Sequence, residues 1–138
     1  MMKKDLTGFR EVAHTADWAL EVWAPDLATL FMTAAQGMAA LMEIRLELEQ
    51  HFLRSFSIES EDIESLLVQY LSELLYLGEM EGLGYMTQDV VIDGMQLSVN
   101  LECARIVEQM KEFKAVTFHN LNVHFDGERY EVMIVFDV

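Results

Sequence analysis

Two aspartates near opposite ends of the chain are the residues best suited to chemistry. Asp17 closes the tetrad His14-Thr15-Ala16-Asp17, and Asp137 lies in Val135-Phe136-Asp137-Val138. A hard cation such as calcium takes about six to eight oxygen ligands, so one carboxylate holds it poorly. Two facing carboxylates at ~4 Å and an effective dielectric near ~20 repel by roughly 4 kcal/mol. A divalent ion removes that penalty. The pair can share an ion if the connection between the first two strands lies beside the last strand. Taken singly, each residue has a plainer reading. Thr15 and Asp17 are turn formers, which fits a loop hydrogen-bonded to itself, and Asp137 fits a solvated chain end.

Other chemistries find less support. His14, His51, His119 and His124 are scattered without zinc-ligand spacing. Cys103 stands in no nucleophile motif, and no serine-histidine arrangement can be placed. No catalytic residues are expected, and the chain reads as a non-enzyme.

The last hairpin supplies possible neighbours for Asp137. Asp126-Gly127 is a strong two-residue turn signal. Such a loop puts Phe125 opposite Glu128 and, counting outward, Val116 opposite Asp137. Lys114 then becomes the diagonal same-face neighbour of Asp137, roughly 7–8 Å away. A surface ion pair there is worth about 0–1 kcal/mol. The same register sends His119 to the other face, opposite Ile134, among Leu121 and Val123. A slip of one residue reverses every one of these facings.

The elements that must position these residues follow from hydrophobic period. Residues 9–13 and 18–24 read as strands. Pro25 and Asp26 open a helix to about Met42, with an apolar stripe through Leu27, Leu30, Phe31, Ala34, Met38, Leu41 and Met42. Residues 44–49 and 52–59 alternate as two strands. Ser60 is the expected N-cap of a second helix, with Glu61, Asp62 and Glu64 favouring its positive end. That helix carries Ile63, Leu66, Leu67, Tyr70, Leu71, Leu74 and Leu75 and ends near Gly78 and Gly82. Strands 84–92 and 95–101 are joined at Asp93-Gly94, and strands 114–125 and 128–137 at Asp126-Gly127. The order predicts an α+β fold, with two helices packed on one face of a largely antiparallel sheet.

Composition narrows the function. The 138 residues suit one domain spanning 1–138. The net charge is −15, with nine Lys and Arg against 24 carboxylates. Nucleic-acid affinity is largely electrostatic, so direct RNA or DNA binding is not expected. A basic protein partner or bound cations fit better. No apolar run approaches the ~20 residues of a membrane span. One cysteine and no visible signal peptide lead to a cytoplasmic setting.

Four segments in order resemble the archease family: His14-Thr15-Ala16-Asp17, the run from Asp62-Ile63-Glu64-Ser65-Leu66-Leu67 through Glu73-Leu74-Leu75-Tyr76-Leu77, Lys114-Ala115-Val116-Thr117-Phe118-His119, and Val135-Phe136-Asp137-Val138. The resemblance implies duplicated strand-helix-strand-strand units. It also implies a cofactor protein of the GTP-dependent RNA-splicing ligase, which promotes guanylylation and turnover of the ligase in tRNA splicing. A divalent cation, calcium, would be held by Asp17, Asp137 and Val138. His14, Lys114 and His119 would serve ligase activation. The sequence departs from the family pattern at Cys103-Ala104-Arg105-Ile106-Val107-Glu108-Gln109-Met110, where a Gly-Glu pair and a histidine are usual. The alternative reading is a chaperone-like modulator of another RNA-processing or RNA-modifying enzyme.

Overall fold

The computed structural model describes residues 6–12 and 18–138. The elements run β1 (Gly8–Val12), β2 (Trp18–Ala24), α1 (Leu27–Met42), β3 (Ile44–Glu59), α2 (Ile63–Glu81), β4 (Leu83–Asp93), β5 (Gln96–Gln109), β6 (Ala115–Val116), β7 (His124–Phe125) and β8 (Tyr130–Asp137). The α+β reading stands, and every strand pairing is antiparallel. The strands divide between two sheets. One has the order β1-β2-β8-β6, with β7 also on β8, and the other is β3-β5-β4. The strand-helix-strand-strand order runs as β3-α2-β4-β5 around the second helix, and β3 directly follows α1.

Local chemistry sets the helix ends. Asp26 stands in extended backbone, and its carboxylate accepts the Thr29 N–H at 2.8 Å, satisfying a donor that a helix start leaves unpaired. The second helix is capped by Asp62, two residues later than Ser60. The Asp62 carboxylate accepts the Ser65 N–H at 2.7 Å, and this bond holds the carboxyl below its usual range. The Ser60 hydroxyl accepts from Gln69 Nε2 at 2.5 Å instead of from a backbone N–H of the first turn.

Residues 44–59 form one strand instead of two. The register against β5 slips between Glu47 and Phe52, a bulge that bends the strand without ending it. His51 sits in that slip, with Nδ1 2.6 Å from Glu102 Oε1.

The core forms where α1 lies over the first sheet. Leu20 and Val22 of β2, Ile134 and Phe136 of β8, and Leu30, Phe31 and Ala34 of α1 are fully buried. Each such aliphatic or aromatic side chain contributes roughly 1.5–3 kcal/mol by leaving water. Gly37 permits the close approach, since a Cβ there would lie 2.5 Å from Leu20 Cδ2. The second helix joins this core through a buried polar tie. The Tyr70 hydroxyl donates to Gln88 Oε1, and Gln88 Nε2 donates to the Met32 carbonyl at 2.8 Å. Burial pushes the Tyr70 hydroxyl well above the usual phenol range, so it remains a donor.

Candidate functional site

The end of β8 is an inner strand of its sheet, held between β2 and β6. Trp18 pairs with Phe136 on one side, and Val116 pairs with Phe136 on the other. The aromatic residues explain why this end does not fray. Phe136 is fully buried and stacks on Phe113 with centroids 4.7 Å apart. Phe113 in turn meets Trp18 at 6.4 Å. Lys111 covers the outer side of Trp18, its Nζ 4.0 Å from the ring centroid and 3.4 Å from Glu43 Oε2. Such a cation over an aromatic face contributes roughly 0.5–1 kcal/mol at an exposed site. The charge and spacing of Lys111 alone carried no signal for this contact.

Asp137 itself is exposed, and so is Val138. On the same face, two residues inward, Val135 is buried, and so is Ala19, its partner on β2. The carboxylate of Asp137 therefore stands at the wet edge of a dry floor. Its backbone carbonyl accepts the Lys114 N–H at 2.8 Å.

The register expected for Lys114 is corrected by one residue. Ala115, not Val116, lies opposite Asp137. Lys114 falls opposite Val138 by the same count, and the pleat puts it on the face away from Asp137. It serves Asp137 through its backbone.

The placement expected for His119 is also overturned. Residues 117–123 belong to no strand. Beyond Val116 the chain leaves the ladder, turns at Asn120 with φ 51, and returns as β7, where His124 pairs with Glu131. His119 sits exposed in this loop, not on the core face opposite Ile134. Its N–H donates to Thr117 Oγ1 at 3.2 Å, and its Nε2 lies 3.3 Å from Asn120 Nδ2. Glu64 ties the loop to the start of α2 by accepting the Val123 N–H at 2.9 Å. Sequence reasoning gave Glu64 only a role at the helix dipole, and nothing in its local context signals the long-range bond.

His14 and Asp17 lie outside the described residues. Among the described residues no group of three or more His, Cys, Asp and Glu side chains is arranged to hold a metal. Asp137 and Val138 are adjacent, exposed and offer only oxygen donors, which fits a hard cation and not zinc. A hard cation takes more oxygens than these two residues supply.

The departing segment 103–110 is not a loop. Residues through Gln109 belong to β5, where Gln109 pairs with Ile44 and Glu108 with Arg45. Cys103 is fully buried within it. Burial pushes its thiol upward, Arg54 opposes this by a smaller amount and Glu81 adds to it, which makes it a poor nucleophile.

The sequence model of the archease protein family matches residues 9–138. The chain belongs to this family. It is 31% identical over 145 residues to the protein archease of Archaeoglobus fulgidus, covering 94% of this chain and 98% of that protein. Identity to the protein archease of Thermococcus kodakarensis is 30% over 118 residues, covering 80% and 83%. The fold is similar to a Thermotoga maritima archease, described as a possible chaperone, with a TM-score of 0.69 over 100% of this chain and 98% of that one, at 22% identity. A solution structure from Methanobacterium thermoautotrophicum gives 0.67 over 95% and 99%, also at 22% identity. At that identity the two structures speak for the archease fold alone. Among the described residues no helix is long and apolar enough to cross a membrane.

Proposed function

We propose that this protein activates the GTP-dependent RNA-splicing ligase, and that its working end is the edge formed by Asp137, Val138 and the His14-Thr15-Ala16-Asp17 tetrad. The observation that carries the reading is the pairing of Trp18 with Phe136. Asp17 precedes the first of these residues in the sequence, and Asp137 follows the second. Successive Cα atoms are ~3.8 Å apart, so connectivity favours a shared site for the two carboxylates. Calcium is the proposed cation, with Asp17, Asp137 and Val138 as its oxygen donors. When bound it would neutralise the two acids and make their approach favourable.

The rest is done by the chain's own residues. The buried Phe136 and Phe113 hold Asp137 at the surface in a fixed position. His119, on the exposed loop, and His14 are the proposed contacts that assist ligase guanylylation. Lys114 contributes by fixing the Asp137 carbonyl. The net charge of −15 favours encounter with a basic, RNA-binding enzyme. The protein works as a partner, not as a ligase or an RNA-binding protein, and in the cytoplasm.

Single-turnover guanylylation of the cognate ligase tests this directly. The protein should accelerate the step, and Asp137→Ala and Asp17→Ala should each abolish the acceleration and weaken calcium binding by about tenfold or more. An unchanged ligase rate sinks the activator reading, and undiminished calcium binding in both variants sinks the metal assignment. The description of the Thermotoga maritima relative as a possible chaperone favours a second reading, in which the same end modulates another RNA-processing enzyme. Capture of such an enzyme by wild type but not by Asp137→Ala would select it.

A further inference from the structure

The C-terminal halves of α1 and α2 do not close over the sheets. They leave a cavity of about 340 Å³ above the starts of β3 and β4 and the end of β5. Protein interiors are packed with few voids larger than a water molecule, and this volume reaches the ~300–1,000 Å³ of ligand pockets. Its walls are apolar, with Met38, Met42, Leu74, Ile106 and Phe113. Glu79 and Glu112 supply the acidic part of the lining. Among the described residues neither is in an ion pair, whereas nearby Glu43 and Glu81 are neutralised by Lys111 and Arg54.

Two glycines line the cavity, and the fold explains one of them. A Cβ on Gly84 would lie 2.8 Å from Leu46 Cδ2. On Gly78, inside α2, the nearest heavy atom would be Ile106 Cδ1 at 3.5 Å, an ordinary contact. Alanine would fit there and would favour the helix. The packing around position 78 does not require glycine.

We infer that this cavity is an anchor site for a basic segment of a protein partner, one that presents a bulky aliphatic or aromatic side chain beside a lysine or arginine. The apolar walls take the side chain, and Glu79 and Glu112 meet the cation. An acidic ligand is excluded by the same two carboxylates. Position argues for a protein occupant. Phe113 lines this cavity and also stacks on Phe136, next to Asp137, so the cavity and the chain-end site are joined through one pair of stacked rings. The inference deepens the proposed function and rests on its claim that the protein works by docking.

The test uses the whole protein and two short synthetic peptides. One is made of leucine, phenylalanine and lysine, and the other has glutamate in place of every lysine. The basic peptide should shift the amide resonances of Gly78, Gly84 and Ile106. Gly78→Leu, which fills the cavity, should weaken its binding by about tenfold or more, and Glu79→Lys with Glu112→Lys should do the same. Gly78→Ala should melt at or above wild type and bind less tightly, which guards against a folding artefact in the leucine variant. Equal binding of the acidic peptide, unchanged binding by Gly78→Leu, or no binding at all overturns the inference. Ligase guanylylation separates the two proposals. Peptide binding without any ligase response breaks the activator reading and leaves the cavity standing, and the reverse removes the cavity alone.

Discussion

Two Asp-Gly dipeptides sit at two hairpin tips, and they do different things. At the first, Asp93 pairs directly with Gln96, and Gly94-Met95 makes the turn. Gly94 has φ 62 at the first central position, the mark of a II′ turn. The two strands then stay in one register except for a single irregularity between Tyr85 and Thr87. At the second, Phe125 pairs with Tyr130, and inside that pair the Asp126 N–H donates to the Arg129 carbonyl at 3.0 Å, so Gly127-Glu128 makes the turn. Asp126 Oδ1 accepts the N–H groups of both Glu128 and Arg129 at 2.9 Å. That side chain supplies further partners to the turn. Arg129 is then fixed over the Trp23 ring at 5.2 Å. The first tip builds a regular sheet. The second is preceded by the loop that carries His119, across which the register changes before Ala115 comes to lie opposite Asp137. The break in the ladder between Val116 and His124 falls in the hairpin that ends at the candidate site.

The largest expected effect breaks the anchored side of this comparison. Phe136→Ala removes a fully buried ring stacked on Phe113, and should cost about 3–5 kcal/mol in urea unfolding. A loss below ~1 kcal/mol would mean that the end of β8 is not held by its aromatic cluster.

A smaller effect compares the tips themselves. A Cβ at Gly94 or Gly127 would meet nothing within 4 Å, and both have positive φ, 62 and 98. Gly94→Ala and Gly127→Ala should therefore each cost about 1–2 kcal/mol through backbone conformation alone. Hydrogen exchange should distinguish them. The first should lower protection along the whole β4–β5 ladder, and the second only around β7. Identical exchange patterns would contradict the claim that the register set at the first tip holds for most of its ladder while that set at the second ends at β7.

The smallest effect is an acid dependence on the regular side. Arg54 of β3 holds Glu81 of α2 through a 2.7 Å bond, and that hydrogen bond keeps the Glu81 carboxyl below its usual range. A carboxyl lowered in the folded state stabilises above its unfolded pKa near ~4 and loses that contribution as pH falls through the folded value. Asp62, lowered by its cap bond to Ser65, has the same sign. Urea midpoints of wild type and Arg54→Met should differ at neutral pH and converge at acid pH. A gap that persists or widens in acid would show that Arg54 acts by packing on Phe52 and not by charge.

Much of the frame was legible because local forces set it. The period of apolar residues and the Asp26 cap give α1 almost to the residue. The stripe of α2 is equally clear, but Ser60 and Asp62 both carry capping side chains, and the structure gives the cap to Asp62 while Gln69 takes the Ser60 hydroxyl. The alternation in 44–59 was read as two strands, because a bulge has no distinct local signature.

The sequence by itself determined the α+β class, the helices, the acidic surface and the pair of aspartates worth examining, since each follows from residue type and short spacing. Tertiary structure decided what lies beside Asp137. The register of β6 rests on a loop that takes up extra residues between Val116 and His124, fixed by the Glu64 carboxylate on α2 and the Asp126 side chain at the tip. The Glu64 bond joins residues 59 apart in the chain, and side-chain facing reverses with each residue of slip. Lys114 and His119 therefore both leave their expected places, Lys114 bonding Asp137 through its backbone and His119 standing on an exposed loop instead of the core face.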